Sequence, residues 1–225
     1  MKKKKIMRTA VVLLVIALLT VWGLSGIYAK YATSGTQDDT GRVAKWGVVL
    51  QANSDESFSG TYAKEDANYT LGDNSVVASG QDKVLAPGTS GSFKGVSVKG
   101  VPEVAVKITN SGTVTLAGWS IDGAYYCPLK VTVGAKSLYG LDYESSDAFA
   151  AAINSEIADS SSYQKPGTDL SKVTGITPAI SWEWAFEGAD GTKVERTDAK
   201  DTALGNLATA PTINIKVKTT VTQVN

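Results

Sequence analysis

The carboxylates of this sequence offer one pairing that could do chemistry and two that could bind an ion. Glu183 and Glu187 lie four residues apart, and paired carboxylates are the catalytic groups of most glycosidases. Acidic residues are common on protein surfaces, so this spacing by itself is weak evidence for a catalytic pair. The acidic pairs Asp38-Asp39 and Glu65-Asp66 lack the regular spacing of oxygen ligands that defines a calcium loop. These acids therefore predict neither a catalytic centre nor a metal site.

The chain contains no histidine, and this absence excludes two large classes of hydrolase. A Ser-His-Asp triad needs an imidazole base, and a zinc peptidase of the HExxH type needs two histidine ligands. The only cysteine, Cys127, lies in the apolar stretch AYYCPLKV without a basic neighbour, which predicts a buried and unreactive thiol. We therefore predict that the protein is not an enzyme and that it has no catalytic residue and no cofactor.

Glu103, Lys107 and Asn110 raise the possibility of an amide bond between a lysine and an asparagine, which a buried acid promotes in some extracellular pilin-like domains. Glu103 and Lys107 share a face in an extended strand. The alternative is that all three are solvent-facing polar residues on a half-buried strand, and this is the commoner arrangement.

Large aromatic residues occur in two alternating stretches, RVAKWGVVL and ISWEWAF. In the second stretch alternate aromatic residues share one face, which fits either a sugar-stacking platform or a core. The core interpretation is favoured because large apolar side chains on one strand face bury well against a facing sheet. In the first stretch the predicted apolar face is Ala44, Trp46, Val48 and Leu50. The predicted core aromatics are Trp46, Trp182, Trp184 and Phe186.

The elements that carry these residues are mostly strands with apolar residues on one face. The stretch SSDAFAAAINSEIADS predicts one clear helix, with Ser145, Ser146 or Asp147 as its N-cap. The closing stretch TINIKVKTTVTQVN predicts a long strand, Ile213–Val221, whose outward lysines are typical of a sheet edge. We predict a mostly β domain over residues 42–225, an antiparallel jelly-roll-like β-sandwich with one or two short helices.

The N-terminus has the order of a secretory signal peptide, a basic stretch followed by an apolar run and then small residues. We predict a signal helix over residues 1–29, cut between Ala29 and Lys30, with a cut between Ala32 and Thr33 as the alternative. An uncleaved membrane anchor is also open, since about 20 residues suffice to cross a bilayer. In each case the rest of the chain is predicted to lie outside the cytoplasm, secreted or at the cell surface.

Five of the 22 basic residues precede the apolar run, whereas all 22 acidic residues follow it. The exported part is therefore mildly acidic, which gives no electrostatic reason to bind nucleic acid. Residues 30–41 are polar and rich in Gly and Thr, and we call them the leader. They predict a flexible segment rather than a packed element.

The order of segments resembles the TasA/camelysin family of biofilm matrix fibre proteins, and more closely a clostridial subgroup that depends on signal peptidase W. The segments that carry this resemblance occupy Ala29–Val48, Leu85–Gly88, Pro102–Thr109, Tyr126–Val131, Ser181–Gly188, Asp201–Asn206 and Thr220–Val224. Camelysin-like members have been classed as metallopeptidases, but a chain without histidine departs sharply from that role.

The resemblance implies a fibre subunit that is cut by a dedicated signal peptidase and assembles head to tail by donor-strand exchange. The implied donor segment is Lys30, Tyr31, Ala32, Thr33, Ser34, Gly35 and Thr36, with other matrix proteins as further candidate partners. The alternative hypothesis is a monomeric cell-surface module that binds carbohydrate or protein through exposed aromatic residues. Its candidates are Tyr62, Tyr69, Tyr125 and Tyr126.

Overall fold

The computed structural model describes residues 41–53, 56–63, 74–80, 82–186 and 197–224. Within these ranges the strands are β1 Val48–Ala52, β2 Thr61–Ala63, β3 Asn74–Val77, β4 Thr89–Phe93, β5 Val96–Gly100, β6 Val106–Ala117, β7 Ser120–Ile121, β8 Ala124–Tyr125, β9 Lys130–Val133, β10 Lys136–Tyr139, β11 Ser162–Gln164, β12 Ile180–Trp184 and β13 Thr212–Gln223. The helices are α1 Ser146–Asp159 and α2 Asp198–Gly205, with 3-10 turns at Gly140–Asp142 and Leu170–Lys172.

Two larger sheets form the body of the domain. One has the strand order β10-β9-β12-β4 and the other has the order β11-β6-β13, while β1-β5, β2-β3 and β7-β8 are two-stranded ribbons. Every strand pair in the described ranges is antiparallel. Apolar side chains from both larger sheets meet in one core, which is the arrangement of a β-sandwich. The prediction of a mostly β, antiparallel fold is confirmed, and the jelly-roll connectivity stays a prediction.

The core forms where the alternating faces of the two sheets meet α1. Buried residues of β6, β9 and β12 contribute Val114, Leu116, Val131, Ile180 and Trp182, and α1 contributes Phe149, Ile153 and Ile157. The helix begins where the sequence predicts, because the Ser145 hydroxyl accepts a hydrogen bond from the Ala148 backbone N–H at 3.1 Å.

The helix lies directly on β6 at Gly112, where space is too short for a side chain. A Cβ at this position would come within 2.6 Å of the Ile157 Cδ1 atom and 2.7 Å of the Asn154 Oδ1 atom. The Asn154 Oδ1 atom instead accepts a hydrogen bond from the Val114 N–H at 3.0 Å. The glycine therefore permits the close approach of helix and strand that seals this part of the core.

The first strand is shorter and more exposed than the alternation of RVAKWGVVL predicts. It begins at Val48, just after Gly47 with its φ of 59°, and it pairs only with β5. Trp46 is 42% exposed and Leu50 is 44% exposed. The prediction that Trp46 is a core aromatic was wrong. Gly47 has a left-handed backbone conformation, so Trp46 lies before the strand begins and the alternation of the strand does not direct its side chain toward a facing sheet.

The aromatic residues of the stretch ISWEWAF differ in burial, and the change occurs at the end of β12. Trp182 and Trp184 are buried, as predicted, but Phe186 is 57% exposed. Phe186 lies two residues beyond Trp184, the last residue of β12, so the strand alternation no longer sets its direction. Its ring lies against Gly88, where an added Cβ would come within 2.4 Å of it. The prediction of a core position for Phe186 was therefore wrong.

The described residues from Ala44 onward belong to one compact unit, and of residues 1–43 only 41–43 lie in the described ranges. The predicted signal peptide, its two candidate cleavage points and the donor segment therefore lie outside the described residues. No helix in the described ranges has the length and apolar character needed to cross a membrane.

Candidate functional site: the open edge of the last strand

Strand β13 is an edge strand of the three-stranded sheet. It pairs with β6 along all of its length, and the strand order ends with it, so its other edge has no strand partner among the described residues. Ile213, Ile215 and Val217 point inward, while Lys216 and Lys218 point to solvent, as the sequence predicts. We call the unpaired side of β13 the open edge.

The inward side chains of β13 are less covered than their neighbours on β6. Ile215 and Ile213 lie opposite Val114 and Leu116, which are buried, yet both isoleucines are only half-buried. β11 pairs with β6 only at residues 106–108, so the cover over Val114 and Leu116 comes from α1 and the core cluster rather than from a second strand. Among the described residues, no strand covers the strip of apolar surface or the row of backbone N–H and C=O groups along the open edge.

The other larger sheet also ends beside β13. Its edge strand is β4, and Gly95, just after β4, lies close to both Phe93 and Val217. At the opposite end, residues 84–85 before β4 and residues 211–212 at the start of β13 line one cavity. The two unpaired edges therefore border the same side of the sandwich, from the cavity to Gly95.

The cavity at the beginning of β13 has a volume of about 370 Å³. The residues that line it include Leu85, Trp119, Trp184, Leu204, Pro211 and Thr212. The rings of Trp119 and Trp184 lie 6.0 Å apart between centroids. The Trp119 indole N–H donates to the Thr212 carbonyl at 2.8 Å, which ties the wall of the cavity to the first residue of β13.

A buried carboxylate fixes the second tryptophan. Asp201 of α2 accepts hydrogen bonds from the Trp184 indole N–H at 3.1 Å and from the Tyr126 hydroxyl at 2.6 Å. The ammonium group of Lys200 lies 5.5 Å from the centre of the Tyr126 ring. Because both indole N–H groups already have acceptors, the tryptophan side of the cavity is apolar, whereas Asp82 and Lys83 add polar groups to the lining.

A buried asparagine fixes the far half of the β6–β13 pair. The Asn110 Nδ2 atom donates to the Ser160 hydroxyl and to the Ile176 carbonyl, each at 2.9 Å. Its Oδ1 atom accepts from the Thr219 hydroxyl at 2.7 Å. Asn110 is 4% exposed, so it joins β6, β13 and the end of α1 through satisfied polar contacts.

The groups considered for a lysine–asparagine amide bond are not brought together. The Lys107 ammonium lies 5.3 Å from the centre of the Tyr163 ring, on the half-exposed face of β6, whereas Asn110 points into the core. Glu103 accepts a hydrogen bond from the Lys45 backbone N–H at 2.8 Å. The expectation that all three face solvent was wrong for Asn110, since alternation places it on the face of Val106 and Ile108.

The remaining reactive groups have no catalytic arrangement in the described part of the chain. Glu183 lies 3.5 Å from the Lys130 ammonium, while Glu187 lies outside the described residues. No cluster of three or more Cys, Asp or Glu residues in the described ranges is placed to hold a metal ion. Cys127 is fully buried, and burial raises the pKa of its thiol to about 12.

The aromatic residues proposed for a monomeric binding module are poorly placed for that role. Tyr126 is buried, Tyr62 and Tyr125 are half-buried, and Tyr69 lies outside the described residues. The Tyr62 hydroxyl donates to the Val84 carbonyl at 2.8 Å, and its ring contacts the edge of Trp182. Burial is the main reason that the pKa of Tyr125 is raised. These tyrosines support the fold rather than a sugar-binding surface.

Two functional features were missed at the sequence level. The inward position of Asn110 follows from its alternation with Val106 and Ile108, and that signal was available. The role of Asp201 had no sequence signal, because its partners Tyr126 and Trp184 lie far away along the chain. No protein-family model, no curated protein and no solved structure matches this chain.

Proposed function

We propose that this protein is a secreted structural subunit of an extracellular fibre, in which the leader of one subunit pairs with the open edge of β13 in the next. The observation that carries the proposal is the contrast in burial between β6 and β13. The inward side chains of β13 are half-covered on a strand that pairs with β6 along one side and has no strand among the described residues on the other. An added strand would cover them and would satisfy the exposed backbone groups.

The physical basis is β-augmentation, in which main-chain hydrogen bonds supply affinity and alternate side chains fill the groove. Such a contact uses two different surfaces of the same chain, so it repeats without closing and produces a filament. The leader suits this role because it is too polar to pack by itself yet keeps a backbone N–H at every residue. Its seven-residue donor segment, Lys30–Thr36, contains no proline.

Cleavage before Lys30 gives the leader a free end, which it needs in order to reach a neighbour. The proposal therefore places the protein outside the cytoplasm, in the extracellular matrix or at the cell surface. Its main partner is a second copy of itself. Signal peptidase acts on it during export, and other matrix proteins are further candidate partners.

Deletion of Lys30–Thr36 tests this function. The full chain would be exported from a Gram-positive host, and the secreted protein would be purified and examined by negative-stain electron microscopy. We expect the deletion variant to remain folded by circular dichroism but to form no filaments, because the donor backbone is missing. Filaments of normal length from this variant would contradict the proposal.

Two further variants distinguish the loss of backbone pairing from the loss of chain length. Thr33→Pro with Gly35→Pro keeps the length but removes two N–H donors, so we expect it to abolish filaments as well. Ser34→Ala keeps every backbone donor and serves as the matched control. We expect the control to form filaments like those of the unaltered protein.

A further inference from the structure

We propose that the cavity beside Trp119 and Trp184 is a receptor for the Tyr31 side chain of a second copy, and that the leader consequently lies parallel to β13. This inference rests on the proposed function and adds the contact that fixes the register and direction of the leader. It is carried by the chemistry of the cavity, by its place at the first residue of β13 and by the length of the leader.

The walls of the cavity suit an aromatic ring. Trp119, Trp184, Leu204 and Pro211 provide apolar surface, and aromatic rings pack well against indoles in offset or edge-to-face arrangements. The two indole N–H groups already have acceptors, Thr212 and Asp201. An aromatic ring can therefore pack on these indoles without leaving a buried N–H donor unsatisfied.

The rim of the cavity suits a positive charge next to that ring. Asp82 lies on the rim, and no basic group among the described residues forms a salt bridge with it. The neighbouring Lys83 is paired with Glu56 at 2.7 Å. The rim also includes Gly205, the last residue of α2, where the carbonyl end of a helix favours cations. In the leader, Tyr31 follows Lys30, whose side chain and new α-amino group would both be positive.

The length of the leader matches the length of β13. The cavity includes Thr212, the first residue of β13, and a strand that starts there with Tyr31 reaches Thr222 with Gly41, ten residues along each chain. Both chains advance about 3.3 Å per residue. An antiparallel leader would instead place Tyr31 near Gln223, at the far end of β13. When the leader is paired along the length of β13, only the parallel arrangement brings Tyr31 to the cavity.

Tyr31 is also the only aromatic residue of the leader. The three residues that follow it, Ala32, Thr33 and Ser34, are small, so they leave the backbone free to approach the open edge. The leader thus has one bulky anchor at its beginning and a slender backbone behind it.

The test measures binding of a fluorescently labelled peptide with the sequence of residues 30–41, with the label at its C-terminus, to secreted protein that lacks Lys30–Thr36. We expect the peptide with Tyr31→Ala to bind at least about tenfold more weakly, a loss of about 1.4 kcal/mol, because it no longer buries an aromatic side chain. The peptide with Tyr31→Phe should keep most of the affinity. Equal binding of the Tyr31→Ala peptide would overturn the inference.

Variants that fill the cavity supply the second arm. Ala210→Trp places a large side chain on an exposed residue of the lining, and Gly205→Trp does so where an added Cβ meets nothing within 4 Å. We expect each to weaken peptide binding at least about tenfold. Ala135→Trp, an exposed position in the turn between β9 and β10, is the matched control and should bind normally. Melting temperatures of all variants establish that they are folded.

Another docking orientation, another cleavage point or the absence of filaments would give different results. If the leader docks in antiparallel orientation, peptide binding survives the cavity-filling variants, and the inference is wrong while the fibre function stands. If cleavage occurs before Thr33, N-terminal sequencing finds no Tyr31 in the secreted protein, which also refutes it. If the unaltered protein forms no filaments, the proposed function fails, and loss of peptide binding in Ala210→Trp would still support an aromatic receptor.

Discussion

At the scale of single residues, the buried thiol shows how the surroundings decide chemistry. Cys127 is fully buried and lies against Gly140, where an added Cβ would come within 2.9 Å of its sulfur. Burial is the largest cause that raises the pKa of the thiol from 9.0 to about 12. The thiolate, which is the nucleophile and the metal ligand, is therefore disfavoured in the folded state.

The raised pKa predicts a loss of stability at high pH. Between about pH 9 and 12 the unfolded chain releases the Cys127 proton while the folded chain keeps it, so the folded state binds more protons and its stability falls as pH rises. For one group the slope is at most about 1.4 kcal/mol per pH unit. Urea unfolding at pH 8 to 11 should show a steeper loss for the unaltered protein than for Cys127→Ala. Equal slopes would contradict the assignment.

At the scale of elements, β6 is the strand on which the second sheet depends. It pairs with β11 and β13, and α1 lies on it at Gly112. Asn110 adds polar contacts that tie β6 to Thr219 of β13. The existence of α1 and β13 was predictable from helical spacing and alternation alone, whereas the stretch Asn110-Ser111-Gly112 is typical of a turn and β6 instead runs through it to Ala117. The mutual packing of these three elements was not predictable, because neither the clearance at Gly112 nor the partners of Asn110 are local in sequence.

Removal of the Asn110 side chain should destabilise the domain. Asn110→Ala leaves the Thr219 hydroxyl without its buried acceptor and opens a small cavity, so we expect a loss of about 2–4 kcal/mol in the free energy of unfolding. The exposed Thr113 of the same strand gives the control, since Thr113→Ala should change stability by no more than about 0.5 kcal/mol. Urea denaturation measures both. A loss for Asn110→Ala no larger than that of the control would refute this role.

At the scale of the whole molecule, the sandwich is unequally closed. The covered strand β6 and the half-covered strand β13 belong to the same sheet, and the difference in burial lies along one border of the domain. Proteins commonly protect such edges with charged side chains, and Lys216 and Lys218 do so on the outer face only. The inner face of the open edge remains apolar and accessible to another strand.

An inward charge on β13 should therefore block assembly without unfolding the subunit. In Val217→Lys the ammonium can extend to solvent from a half-buried position, so we expect a folded monomer by circular dichroism. An incoming strand would have to bury that charge, so filaments should be absent by electron microscopy and by light scattering. Lys216→Ala changes only the outer face and should assemble normally. Normal filaments from Val217→Lys would argue against pairing along the open edge.

Periodicity within short stretches of sequence was enough to specify the mostly β class, the helix with its cap at Ser145 and the inward and outward faces of β13. It also placed Trp182 and Trp184 correctly in the core. The exposure of Trp46 and Phe186 follows from the tertiary structure, because both residues lie outside the strands that were expected to direct their side chains. The tertiary structure also decided which strand keeps an unpaired edge and that a cavity lies at its beginning. Strand order and cavities arise from contacts between residues distant in sequence, and no local pattern specifies them.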